Sequence, residues 1–258
     1  MNLNKNNFES IYKRYNRKEF IHPDPLEFLS KYKNIKDKEI VGLIASSLAY
    51  GRVEQIIKST SIILEIMGSS PHSFIKTNSP AHFLKVFKNF KHRFTTGAEI
   101  SALLKNIKSI LKKYGSLNKC FLSFYNENDI SLEKAIYKFA EKLNSDSPSL
   151  IPSPDKKSSF KRFNLFLRWM IRKDTVDPGI WKGISPNKLI IPLDTHMFKI
   201  GKMIKATERN DTSMKTALEI TSFFRNIAPK DPVRYDFALT RIPINKKRNI
   251  TYKDFLVQ

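Results

Sequence analysis

One cysteine in 258 residues, Cys120, excludes a disulfide framework and a thiolate-held iron–sulfur cluster, which needs several such ligands. A reducing compartment suits such a chain. Glycine is also scarce, with eight residues. Phosphate loops of the GxxxxGK[ST] type do not occur, and neither do the dinucleotide string GxGxxG or the GxSxG of serine hydrolases. The five histidines, His22, His72, His82, His92 and His196, never adopt a ligand spacing such as HxxxH, so no metal site and no cofactor are expected. No run of eighteen apolar residues is present, and the opening "MNLNKNNFES" lacks the apolar stretch of a secretory signal. A soluble, cytoplasmic protein is expected.

Acidic residues are the other shortage. Against 46 Lys+Arg stand 24 Asp+Glu, a net charge of +22. Part of the lysine excess has a bland cause, because abundant Lys, Asn and Ile fit an A/T-rich genome. That bias would not remove Asp and Glu, so the imbalance still points to a polyanionic partner, nucleic acid first. A membrane surface fits less well, since the charge is spread along the chain without a lipidation signal.

What is present reads as helix nearly throughout, and the fold class expected is all-α. Apolar residues recur at helical spacing in 37–51, 52–68, 97–115 and 131–143, with Gly51, Gly68 and Gly115 as stops. The stretch 144–159, rich in Ser and Pro, reads as an exposed loop. Residues 160–173, "FKRFNLFLRWMIRK", form an apolar and basic helix, and 174–188 read as loop and turn. A helix follows Asp194, and two more are expected over 212–227 and 231–239, with Asp231 as cap and Pro232 at the first helical position. Period-2 strands are absent.

Asp194, in "IIPLDTHMFKIGK", stands where a helix N-cap belongs, with Met197, Ile200, Gly201 and Ile204 on one face behind it. Lysines and isolated aspartates beside apolar surface suit one reaction on nucleic acid, the displacement of a damaged base at the sugar C1′. It needs a nucleophile (an activated water or a lysine amine), a carboxylate to steady the cationic transition state, and a pocket for the extruded base. A lysine at its ordinary pKa of about 10.4 is neutral less than about once in a thousand at pH 7, so it must be desolvated or crowded by cations.

The string "IPLDTHMFKIGKMI" resembles the V-D-[TV]-H-[IVM]-x-R-[IV] signature of the helix–hairpin–helix DNA glycosylase superfamily. By that resemblance Asp194 is both cap and catalytic carboxylate, and Lys199 takes the basic place facing DNA. The segment 42–68 is similar to the glycosylase region in which two helices flank a loop entering the gap left by a flipped nucleotide. That puts Tyr50, Gly51 and Arg52 against the duplex, although an ordinary helical hairpin with a glycine cap would read the same. The superfamily hairpin L-P-G-[VI]-G-x-[KR]-T-A is missing, and "GIWKGISPNK" occupies its place. "SFKRFNLFLRWM" resembles instead the divergent archaeal GO branch, whose lysine opens an apolar helix. It implies Lys161 as nucleophile, with Lys156, Lys157 and Arg162 as cationic company and Lys173 or Lys182 as alternatives. The lack of cluster cysteines also favours the 8-oxoguanine branch.

The resemblance further implies a bilobed molecule. One lobe, a helical barrel, would span 38–190; the other would join 1–37 to 191–258. Phe166, Trp169 and Trp181 are candidates to stack on an extruded base, or they are core. Asp236 is a candidate reader of a purine edge, or a surface partner of Arg234. "AYGR", "FLRWMIRKD", "PLDTH" and a "DPVKYDFAL"-like string are also similar, over nearly the whole length, to a bacterial family that supplies no activity. The implied function is excision of an oxidised purine such as 8-oxoguanine from double-stranded DNA in the bacterial nucleoid, by a monomer without a cofactor. The rivals are a catalytically silent nucleic-acid-binding protein of the same fold and a helical scaffold whose basic surface meets an acidic protein.

Overall fold

The computed structural model describes residues 4–143, 149–153 and 158–246. Within them run thirteen α-helices, two 3-10 turns and one two-stranded hairpin, so the fold is all-α. The helices are α1 (Lys5–Tyr15), α2 (Glu27–Ser30), α3 (Ile35–Ser47), α4 (Val53–Met67), α5 (Pro71–Thr77), α6 (Pro80–Phe87) and α7 (Gly97–Tyr114). Then follow α8 (Leu117–Leu122), α9 (Glu133–Leu143), α10 (Lys161–Ile171), α11 (Thr195–Met203), α12 (Met214–Ile227) and α13 (Asp236–Lys246). Strands β1 (Lys91–His92) and β2 (Thr95–Thr96) pair antiparallel between α6 and α7. No helix among the described residues is long and apolar enough to cross a membrane.

Local chemistry sets the boundaries. Helices α5 and α6 each start Ser-Pro, the serine capping and the proline filling the first turn, where no N–H is needed. A reciprocal capping box, Thr96 with Glu99, opens α7, and Gly115 in a left-handed conformation closes it. Helix α3 is buried almost all round. At Gly42 an added Cβ would lie 2.8 Å from Met170 Cε, so this glycine lets α3 and α10 pack closely. Its two buried carboxylates are both employed. Asp37 accepts from Ser70 Oγ and the His72 N–H, and Glu39 accepts from the N–H groups of Leu117 and Asn118 and from Trp181 Nε1.

Two boundaries differ from the sequence expectation. Helix α3 stops at Ser47 rather than running to Gly51, and two cations from α10 bind carbonyls at and just beyond its end. Arg162 donates to Ser47 O at 2.7 Å and Lys161 to Ala49 O at 2.9 Å. Helix α13 starts at Asp236, not near 231. Asp231 is no cap: its Oδ2 accepts from Arg172 Nε at 2.8 Å, and residues 231–235 form turns. The hairpin at 91–96 was not anticipated at all.

The helices pack in two groups. Helices α3 to α10 share one, centred on α3, α7 and α10. Helix α1 packs on α13, α13 on α11, and Phe8 of α1 lies edge-on to Phe224 of α12 with centroids 5.4 Å apart. A ladder of buried charge joins the groups. Arg168 donates to Asp177 at 3.2 Å and to Asp236 at 2.5 Å; Arg172 donates to Asp174, Asp177 and Asp231 at 2.6, 2.7 and 2.8 Å. Asp174 also accepts from Tyr12 OH and Asn16 Nδ2 of the N-terminal segment.

Candidate functional site

Lys161 is the first residue of α10, directly after Phe160, whose left-handed backbone (φ 51°) swings the chain into the helix. A cation at a helix N-terminus meets the positive end of the dipole. Lys161 is also largely withdrawn from water, and burial, with Arg162 beside it, pulls its pKa below the ordinary lysine value. Asp194, Asp24 and Asp236 oppose that shift through their charges. The amine donates to Ala49 O and faces a cleft of about 350 Å³ lined by Ala49, Tyr50, Phe94, Ser158, Lys161 and Arg162, with Ser149 and Pro152. That volume suits a small aromatic ligand.

Asp194 caps α11, its Oδ1 accepting from the Met197 N–H at 2.7 Å, while Oδ2 makes no hydrogen bond among the described residues. The structure therefore brings Lys161 and Asp194, 33 residues apart, within each other's field. Asp194 is not among the residues lining the cleft, however, and every lining residue falls within 38–190. The cavity is walled by one helical group and does not lie between the two.

The expected stacking residues are core. Phe166 and Trp169 are fully buried, and Trp181 is nearly so, with its indole N–H bound to Glu39 and its ring edge-on to Phe166. None lines the cleft. The aromatic faces found there belong to Tyr50 and Phe94. Asp236 is neither exposed nor paired with Arg234, which binds Glu9 instead. It is buried against Arg168, and burial pushes its carboxyl up to about 6 despite that guanidinium. Its Oδ1 and Arg168 Nη2 both lack partners among the described residues.

Tyr50 is half-buried, and its OH donates to His92 O at 2.9 Å and shares a hydrogen bond with Thr95 Oγ1 at 2.6 Å. Gly51 and Arg52 beside it are exposed, as is Lys199 on the outer face of α11. Arg162 is fixed, donating to Ser47 O and Ser149 O with its guanidinium 5.0 Å from the Tyr50 ring centroid. Burial lowers its pKa, yet a guanidinium stays protonated, so Arg162 sets a fixed positive charge beside Lys161. Lys156 and Lys157 lie outside the described residues. Lys173 and Lys182 are exposed and do not line the cleft. Phe94 escaped the sequence reading. Its signal, an aromatic directly after basic residues in "KHRFTTG", marks a turn only once the two-residue strands around it are known.

No curated protein and no solved structure matches the chain. A family model does match, across residues 24–245, which takes in Lys161, Asp194, the cleft and most of the charge ladder. On that match the chain belongs to the family described as Protein of unknown function (DUF2400).

Proposed function

We propose that this protein is a DNA glycosylase, with Lys161 as nucleophile and Asp194 as its carboxylate, acting on an oxidised purine such as 8-oxoguanine. One observation carries the reading: a desolvated lysine amine at a helix N-terminus faces a base-sized cleft in the field of an N-cap aspartate. Desolvation raises the neutral fraction of the amine near neutral pH. The neutral amine attacks C1′, and the bond to the base nitrogen breaks with its electron pair, which a proton then satisfies. The nitrogen then gives up a proton, the C1′–O4′ bond breaks with its electron pair and a proton going to O4′, and the nitrogen lone pair closes the C=N bond of a protonated Schiff base. Abstraction of a C2′ proton then expels the 3′-phosphate and cuts the strand. The Asp194 carboxylate steadies the positive charge that builds on the sugar. The superfamily resemblance supports the reading, as does the net charge of +22 for the duplex itself.

Borohydride trapping on duplexes carrying 8-oxoguanine or an abasic site tests it, with wild type, Lys161→Ala and Asp194→Asn. Wild type forms a covalent adduct and Lys161→Ala does not. Asp194→Asn slows the reaction by roughly 10²–10³-fold, the size of effect seen when one charge-stabilising group is lost. An adduct that survives Lys161→Ala moves the nucleophile to another amine. A second reading, a catalytically silent DNA-binding protein, is favoured by the hydrogen bond from Lys161 to Ala49 O, which gives the lysine a structural role. Binding to duplex without trapping or base release selects it.

A further inference from the structure

Phe94 is three-quarters exposed, while every other described phenylalanine is buried or partly buried. It sits with Arg93 at the tip of the 91–96 hairpin, where Lys91 pairs with Thr96 and His92 with Thr95. Arg93 is held at φ 51°, a conformation that side-chain-bearing residues rarely adopt and that persists only where surrounding structure enforces it. The enforcement is visible. His92 is buried, its ring bound to Ser59 Oγ at 2.9 Å and to Tyr50 O at 3.2 Å. Tyr50 OH reaches back to His92 O and Thr95 Oγ1, and Thr95 Oγ1 binds Ser149 Oγ at 2.6 Å. The Arg93 side chain lies on Gly51, where an added Cβ would come within 2.8 Å of its Cδ.

An apolar ring is thus presented to water on a rigid base, at the rim of the Lys161 cleft, which it helps to line. Cations stand exposed beside it: Lys91, Arg93 with its guanidinium 5.5 Å from the ring centroid, and Arg52 on the facing loop. Glu99, the nearest carboxylate along the hairpin, is occupied by Thr96 and the Ser149 N–H. An apolar protein pocket receiving Phe94 would have to bury those cations as well. A duplex accepts both parts, the ring between bases and the cations on phosphates.

We propose that the hairpin is a wedge: Phe94 enters the base stack of double-stranded DNA beside the nucleotide that the cleft admits, and Arg93, Lys91 and Arg52 hold the flanking phosphates. The wedge takes its partner from the proposed function but does not depend on catalysis.

The test uses the full chain and a duplex containing a tetrahydrofuran abasic analogue, which cannot be cleaved. Phe94→Ala should fold as wild type does, because the ring is exposed. It should bind this duplex about 5- to 100-fold more weakly, the loss expected for one stacked base, while Phe94→Trp restores affinity. The introduced indole should be open to iodide quenching in the free protein and shielded in the complex. Binding by Phe94→Ala within about twofold of wild type, or an indole still open to iodide in the complex, overturns the proposal. So does a wild type with no affinity for duplex at low salt, which would turn the hairpin towards a protein pocket. Normal binding that weakens in Phe94→Ala, combined with failed borohydride trapping, leaves the wedge standing and removes the glycosylase.

Discussion

Replacing Arg172 with methionine keeps the length of the side chain and removes the cation at the centre of the charge ladder. Arg172 is almost fully buried and serves three carboxylates, Asp174, Asp177 and Asp231. After the change Asp177 keeps only Arg168 Nε, at 3.2 Å, and Asp174 keeps Tyr12, Asn16 and two backbone N–H groups. Breaking a buried pair from one side costs about 3–5 kcal/mol, because charge is left behind without compensation. Against a usual total of about 5–15 kcal/mol this is a severe loss. The loss depends on pH. Burial alone would raise the Asp174 carboxyl, yet Arg172 and the surrounding hydrogen bonds hold it down to about 2. In wild type this group therefore contributes stability that is complete above its unfolded value of 3.8 and disappears as pH falls towards about 2. Asp177 and Asp231 are raised by burial even with Arg172 beside them, so without it they move further up, and at these two carboxyls the folded state binds protons still more tightly than the unfolded chain. The variant then loses stability as pH rises from the unfolded to the raised folded pKa of each carboxyl, by about 1.4 kcal/mol for every pH unit between them. Urea unfolding followed by circular dichroism, at about pH 5 and about pH 7.5, gives both quantities. The expected deficit is several kcal/mol at the higher pH and smaller at the lower. A deficit below about 1 kcal/mol, the worth of a surface pair, or one equal at the two pH values, would refute the reasoning.

Other perturbations follow from the same geometry. Asp194→Asn removes an anion that raises the Lys161 pKa, so the amine should titrate lower still; pH-dependent acetylation of Lys161 read by mass spectrometry measures this, and an upward move would contradict it. Asp236, with its carboxyl raised to about 6 from 3.8, gives the folded state extra proton binding between those values, so its contribution to stability falls as pH rises from about 4 to about 6. Unfolding of Asp236→Asn should therefore gain on wild type by roughly 3 kcal/mol across that window, at about 1.4 kcal/mol for each pH unit crossed. Gly51→Ala, at φ 96° and against Arg93, should lose about 1–2 kcal/mol in thermal unfolding. Tyr50→Phe strips the hairpin of the hydroxyl it is tied to, and about 1–3 kcal/mol should go with the two hydrogen bonds lost from His92 O and Thr95 Oγ1, although Thr95 keeps Ser149 Oγ.

Helices that carry a strong period and a recognisable cap were legible. Asp194 before α11 and the apolar stripes of α7 and α10 are local features, and local chemistry decides them. The expectation that Lys161 and Asp194 act together came from resemblance to a family, since no local rule joins residues 33 apart; the structure places Asp194 among the charges that act on Lys161 but gives the two no hydrogen bond or ion pair. Asp236 shows the limit most clearly. Its partner Arg168 lies 68 residues away, so spacing pointed to the nearer Arg234, which the fold gives to Glu9. The aromatic rings failed for a related reason. Phe166 and Trp169 sit on an apolar helix face in sequence whether that face meets a base or α3, and only tertiary packing separates the two. The hairpin was invisible because two-residue strands are too short to show alternation.

Helix α1 finds its neighbours at the far end of the described chain, and this bears on how the molecule is made. Glu9 is bound by Arg234 and Tyr235, some 225 residues downstream, and Phe8 rests against Phe224 and Tyr235. At about 5–20 residues per second of synthesis, α1 leaves the ribosome roughly 10–45 s before its binding surface exists. With 11 residues it is too short to hold helical form alone in water. It must therefore spend that interval as an exposed, basic, half-apolar segment, and its docking is among the last events of folding. The basic side chains Lys5, Lys13 and Arg14 of α1 give the waiting segment a charge that repels its like on other nascent chains.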